Sequence, residues 1–330
     1  MSVTLVLAAL LTLAAGNPSG VALDFIDTGF ENASPLWYEF GGDGGVVVHL
    51  VYDHERGSLN RAAGHFHFRI QAAKGRQVVL ELRNLDNVWN GKLGSVAEEI
   101  KQVVVSQDGR NWVPVATESP AEGRVCVRLE MPGESLFVAR AEPYRVSDLE
   151  RFLGGIASSP LVRIGTIGRT VQGRELEIIR VGDDGAPNHV FIRARAHPWE
   201  PVGNWVIEGL VHRLLRGDAE ARRFLALYNV CILPMANKDG VERGGTRFNL
   251  GGCDLNRNWD QPADPRFAPE NAALEDWLEA EIAAGRRPGI ALDRHNDGSG
   301  LLHISRPDIP EIDAYFARMA RFERFLRDHT

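Results

Sequence analysis

From about residue 22 to residue 144, apolar residues recur in short runs with a period of two, separated by Gly, Asn and Asp. That period sends successive side chains to opposite faces of an extended chain. The runs at 45–52, 65–72, 77–85, 102–106, 112–116, 125–131 and 136–141 therefore predict seven strands, parted by turn signals such as Asp108-Gly109. Short strands at this spacing predict an antiparallel β-sandwich over 22–144. His65 and His67 share one face of their strand, with Phe66 and Phe68 on the other. With no Cys or third His at ligand spacing, the pair reads as a packed or solvated strand face rather than a metal site.

Past Tyr144 the pattern changes. Ser147-Asp148-Leu149-Glu150 has the form of a capping box opening a helix towards Gly154, which places a domain boundary between 144 and 145. Strands are then predicted at 175–181, 189–194, 228–235 and 290–293, alternating with helices over 202–216, 269–284 and 310–328. This alternation predicts a second domain over 145–330, an α/β/α sandwich around a mixed sheet.

Composition narrows the function classes. The 330 residues are enough for two domains, and 44% hydrophobic with 25% charged residues is ordinary for a soluble chain. The net charge of −7 gives no basic excess for nucleic acid or an anionic membrane surface. The apolar run 3–15 is too short to span a bilayer and suits a signal-peptide core, with Ala14 and Gly16 as small residues for a cleavage site. Residues 1–21 are thus expected to be a signal peptide and leader. The mature chain is expected to be secreted or periplasmic and free of stable membrane association, a cytoplasmic location being the alternative. Cys126, Cys231 and Cys253 are too few and too widely spaced for a disulfide framework. Cys231, inside an apolar run, reads as a buried thiol, and a disulfide between two of the three stays open for an exported protein.

Three segments hold the chemistry. His197-Pro198-Trp199-Glu200 follows the predicted strand 189–194, and Pro198 turns the chain so that His197 and Glu200 face one point. Asp293-Arg294-His295 ends the strand 290–293. Ligand sites of open α/β sheets collect at such C-terminal strand ends. A His-x-x-Glu alone is weak evidence in a chain with ten histidines, but a third ligand at an equivalent strand end strengthens it. Two imidazoles and one carboxylate would hold a single zinc ion and leave a fourth position open for water, the arrangement of hydrolytic sites. Between these segments, Gly240 to Asn249 and Asp254-Leu255-Asn256-Arg257-Asn258-Trp259 supply arginine forks and amides. Such groups bind carboxylates bidentately and suit the free C-terminus of a peptide or protein substrate.

At these residues the chain resembles the funnelin-type zinc carboxypeptidases, the M14 family. The matching elements are the His-x-x-Glu pair, the Asn237-Lys238-Asp239-Gly240 turn, the Asp-Leu-Asn-Arg-Asn-Trp run and the strand-borne His295, over about 190–300. The resemblance implies one zinc ion held by His197, Glu200 and His295. It makes Arg247 the catalytic group that polarises the scissile carbonyl and stabilises its oxyanion, Asn256 and Arg257 the binders of the substrate's terminal carboxylate, and Asp254 the carboxylate that orients His197. Upstream, His65 to Ile70, Ser106 to Trp112 and Pro143 to Leu149 resemble the N-terminal domain of the cytosolic-carboxypeptidase-like members. That likeness implies the architecture and not the substrate.

The family's general base, a glutamate far downstream of the third ligand, finds no counterpart here. Glu311 and Glu323 fall in a helix whose Tyr315, Phe316, Met319, Phe322, Phe325 and Leu326 form an apolar stripe, and Glu270 sits where it favours a helix dipole. The expectation is a C-terminally truncated metallocarboxypeptidase with weak or no activity as it stands. The alternatives are an amidase acting on cell-wall peptides and a zinc-containing peptide-binding pseudoenzyme.

Overall fold

The computed structural model describes residues 23–42, 44–296, 303, 304, 306 and 308–329, so the apolar run 3–15 lies outside the described residues. All seven strands expected upstream of 144 form. Phe25–Asp27, His67–Gln71, Ser135–Ala139, Gln102–Ser106 and Val113–Ala116 make one sheet, and Val125–Glu130, Gln77–Arg83, Val46–Leu50 and Leu36–Phe40 the other. Pairing is antiparallel except between Val46–Leu50 and Gln77–Arg83, which run parallel. The inward set from the two sheets, including Val48, Phe66, Phe68, Leu80 and Val138, forms one buried core. Two edge strands, Phe25–Asp27 and Leu36–Phe40, escaped the sequence reading because their burial does not alternate cleanly. A small four-stranded sheet of Asp53–His54, Arg61–Ala62, Asp86–Trp89 and Lys92–Ser95 was also unforeseen. Its strands are two to four residues long, too short to show a period.

The α/β part has a five-stranded mixed sheet in the order Val162–Arg169, Glu175–Val181, Tyr228–Leu233, Asn188–Ala194, Ile290–Arg294. The last three strands are parallel and the first two add antiparallel. The helices Val202–Leu215 and Pro269–Ala283 form where expected, while Ala219–Leu225 and Lys238–Glu242 are additions. The first helix of this part spans Val146–Ile156, but its cap is not the expected one. The Arg145 backbone N–H and guanidinium both donate to Asp148, at 2.8 and 2.9 Å, whereas the Ser147 N–H donates to Glu31 at 2.8 Å. The box lies two residues earlier because Asp148, not Glu150, is the acid three positions after the cap. Cys126, Cys231 and Cys253 are all free thiols.

One compact unit runs through His295 and a second begins at Asn296. The second holds the helix Ile312–His329, on which Glu323 and Arg327 pair at 2.5 Å. Within the first, the sandwich and the α/β part interlock through backbone as well as side chains. Asn32 donates to Glu242 O and Val241 O, Arg56 donates to Gly251 O and Gly252 O, and Tyr144 Oη donates to Glu208 at 2.6 Å.

This interlock explains the strand with His on one face and Phe on the other. Phe66 and Phe68 enter the sandwich core, while His65 and His67 are buried on the opposite face. His65 N–H donates to Thr246 Oγ1, and His67 lies among Phe30, Trp112 and Phe137 with Nδ1 3.1 Å from Asn32 Oδ1. Burial, reinforced for His65 by Arg195 and Arg140 and for His67 by His65 and Arg145, pushes both imidazoles down to about 3. They are neutral packing groups.

Below about pH 6.5 the unfolded chain protonates both rings while the folded chain resists until near pH 3, so stability falls with pH through that window. The loss is roughly 1.4 kcal/mol per pH unit per histidine. Urea unfolding between pH 6.5 and 5 should show this slope, and His67→Phe should remove about half of it. A slope indifferent to that substitution would assign it to other groups.

Candidate metal centre and adjoining cleft

The parallel strands Asn188–Ala194 and Ile290–Arg294 are neighbours in register, with Arg193 beside Asp293 and Ala194 beside Arg294. Their C-terminal ends therefore deliver His197 and His295 to the same edge of the sheet. The chain between Ala194 and the helix Val202–Leu215 must turn sharply, and Arg195 does so in the left-handed region at φ 63°. That conformation is costly for a non-glycine residue and needs local bonds to hold it. The buried Arg195 guanidinium supplies them, donating to Pro198 O at 2.9 Å and to Asn204 Oδ1 at 3.1 Å. From the other side, Asn237 N donates to Arg195 O and Asn237 Nδ2 to Ala196 O. The helix that Asn237 caps brings Gly240 against Pro198, where any Cβ would collide with the proline ring. The Asn-Lys-Asp-Gly turn is thus the wall against which the His-x-x-Glu turn rests.

His197, Glu200 and His295 each present one ligand-type atom, all within 4.8 Å of one another. His197 Nδ1 is 2.9 Å from Glu200 Oε1, and His295 Nδ1 is 2.6 Å from Glu200 Oε2. The far ring nitrogens both face carboxylates, His197 Nε2 at 3.1 Å from Asp254 Oδ1 and His295 Nε2 at 3.1 Å from Asp293 Oδ2. Burial would raise the Glu200 carboxyl, but the two imidazoles outweigh it and hold it down at about 2. Burial would lower His295, but Asp293 and Glu200 outweigh it and hold its imidazole up at about 9. The space between the two nitrogens and the carboxylate is one that a divalent cation would fill on displacing any proton held there. The set fits zinc: two imidazoles and one carboxylate, with Asp254 hydrogen-bonded behind the His197 ring and Asp293 at ion-pair distance behind the His295 ring.

Asp254, its carboxylate fully buried, also accepts from Arg247 Nε at 2.8 Å and from the Asn256 backbone N–H at 2.9 Å. It is anionic despite burial, because His197 and Arg247 hold its carboxyl well below the usual range. One carboxylate thereby ties His197 to Arg247. Arg247 and Arg257 line a cleft of about 210 Å³ together with Arg61, Asn87, Trp89 and Trp199. Asn256 is half-buried and meets the site through its backbone, its carbonyl accepting from Arg257 at 2.7 Å, rather than lining that cleft.

Several participants were missed from sequence. Asp293 and His295 lie two apart at a strand end, a spacing that shares a face, and the cross-strand Arg193 donates to Asp293 at 2.5 and 3.1 Å. Trp199 Nε1 donates to Glu200 Oε1 at 3.2 Å while its ring lies under Arg140, 4.4 Å from the guanidinium. Asp53, from the small upstream sheet, accepts the backbone N–H groups of Thr246, Arg247 and Phe248 at 3.2, 2.6 and 2.9 Å. Glu270 is buried, accepting from Asn249 at 2.8 Å and from the Val171 N–H at 3.3 Å, which makes it structural.

Comparison with known proteins agrees with this geometry. A family profile described as zinc carboxypeptidase matches residues 149–281. An uncharacterized protein of Zymomonas mobilis is 26% identical over 75% of this chain and 63% of its own length. Cytosolic carboxypeptidase 1 of Danio rerio is 32% identical over 46% of this chain and 13% of its own length. This chain thus spans less than two thirds of either relative. Among solved structures, a metallo-carboxypeptidase from Burkholderia cenocepacia superposes with a TM-score of 0.72 at 27% identity, covering 83% of this chain and 71% of that one. One from Pseudomonas aeruginosa gives 0.72 at 26%, covering 83% and 70%. With the His-x-x-Glu turn, the strand-borne histidine and the arginine cleft all in place, the chain belongs to the M14 zinc carboxypeptidase family.

Proposed function

We propose that this chain is a zinc-dependent metallocarboxypeptidase, with His197, Glu200 and His295 as metal ligands and a free peptide C-terminus as the group it recognises. The observation behind this reading is the placement of the three-ligand cluster beside a cleft lined by Arg61, Arg247 and Arg257, the cluster and Arg247 being joined through Asp254. Zinc bound here would polarise the scissile carbonyl and lower the pKa of a bound water. Arg247, its Nε fixed on Asp254, directs the rest of a fixed positive charge to the oxyanion that develops at that carbonyl. Arg257 takes the terminal carboxylate, and Asn256 sets the loop from which Arg257 projects. Asp254 and Asp293 keep the imidazoles oriented with Nδ1 towards Glu200.

The test is zinc content together with release of C-terminal residues from peptides carrying a free carboxylate or a C-terminal amide. One zinc per chain and cleavage confined to the free acids supports the reading. Stoichiometric zinc without cleavage of any peptide would favour a peptide-binding protein, and cleavage of muropeptides alone would favour the amidase.

The assigned roles separate by substitution. His295→Ala should abolish stoichiometric zinc, and full metal content in that variant would remove His295 from the centre. Asp254→Asn and Asp293→Asn should each lower zinc affinity by about 10- to 100-fold, read by chelator competition. Arg257→Ala should leave zinc in place while weakening C-terminal carboxylate ligands by about tenfold or more, the range of a charge-assisted hydrogen bond. Unchanged affinity there would take Arg257 out of the pocket.

A further inference from the structure

The cleft beside the metal centre is not made by the α/β part alone. Arg61, Ala62, Asn87 and Trp89 of its lining come from the small upstream sheet. Trp89 has an unusual position in it: the guanidinium of Arg247 lies 4.4 Å from its ring centroid and that of Arg257 5.1 Å. Both are inside the range of a cation–π contact. Arg61, by contrast, is committed elsewhere, paired with Asp86 and resting on the Tyr52 ring at 4.5 Å.

We propose that Trp89 is a positioning residue for both cleft arginines, a single indole that holds the Arg247 and Arg257 guanidinium groups in register for one peptide C-terminus. This rests on the carboxypeptidase reading. Arg257 is exposed and, among the described residues, its guanidinium donates one hydrogen bond, to the carbonyl of its neighbour Asn256, a weak hold on the end of a long, rotamer-rich side chain. Two like charges in one small cleft would otherwise separate into solvent. The electron-rich faces of an indole attract both and restrict them to the volume a carboxylate and a carbonyl would share. Asp53 supports the arrangement from the same sheet, gripping the backbone of 246–248 so that Arg247 starts from a fixed point.

The experiment compares the zinc-loaded full chain with Trp89→Leu and Trp89→Phe, measuring affinity for N-acetylated amino acids against their C-terminal amides by calorimetry. The wild type should prefer the free acids. Trp89→Leu should lose about tenfold of that preference at unchanged zinc content and melting temperature, since Leu retains apolar bulk without a π-face. Trp89→Phe should retain most of it. A folded, zinc-replete Trp89→Leu with full preference would overturn the proposal, as would equal losses in Leu and Phe, which would mean that indole packing rather than the ring face matters. A wild type that binds acids and amides equally would instead bring down the carboxypeptidase reading, and this proposal with it.

Discussion

Asp254 is the group on which the arrangement of the site depends. A carboxylate with no solvent exposure is costly unless every lone pair is used, and here they are spent on an imidazole, a guanidinium and a backbone N–H. The cost of burying it is offset only when all three are present, so the position of His197 and that of Arg247 are two sides of one electrostatic condition. Metal ligation and oxyanion stabilisation need a fixed separation between cation and arginine. A shared buried anion sets that separation without relying on a flexible loop.

The same logic repeats around the cluster. Asp293 is held by the buried Arg193 from the neighbouring strand, and Glu200 takes Trp199 Nε1 in addition to the two imidazoles. Glu200 and the two carboxylates behind the imidazoles, Asp254 and Asp293, are thus each engaged by histidine, arginine or indole. The described residues bring together the three-residue ligand-type cluster and, joined to it through Asp254, the cleft lined by Arg247 and Arg257.

What could be read from the sequence follows from which residues report themselves locally. Strands buried on one face were legible because that burial imposes period two, and the parallel strands because both faces are apolar, as in Val190-Phe191-Ile192, whereas the largely exposed Leu36–Phe40 and Val162–Arg169 were not. His197, Glu200 and His295 were legible because ligand chemistry restricts residue type and the strand ends restrict position. Asp53 and Trp89 were not. An aspartate in a two-residue strand has no periodic context, and its role, accepting three N–H groups from a loop almost two hundred positions later, exists only in the folded chain. The Ser147 box failed for a related reason: the spacing of a cap motif is satisfied by several overlapping tetrads, and the Arg145–Asp148 pair wins because Glu31 occupies the Ser147 N–H.

These long-range roles bear on why the sandwich and the peptidase-like part form one compact unit. The strand His67–Gln71 and its lead-in bury Phe66 and Phe68 in one core, His65 against Thr246 of the other part and His67 among Phe30, Trp112 and Phe137, so the sandwich sheet has no free face there. Exposing that face would leave two imidazoles, Asn32 and the carbonyls of 241 and 242 to be resolvated, and would release the 246–248 backbone from Asp53. Arg247 would then keep its bond to Asp254 but lose both the anchor of its own backbone and the indole beneath it. In this chain the upstream domain reaches the cleft through geometry: Asp53 holds the backbone of 246–248 and the Trp89 ring lies against the Arg247 guanidinium.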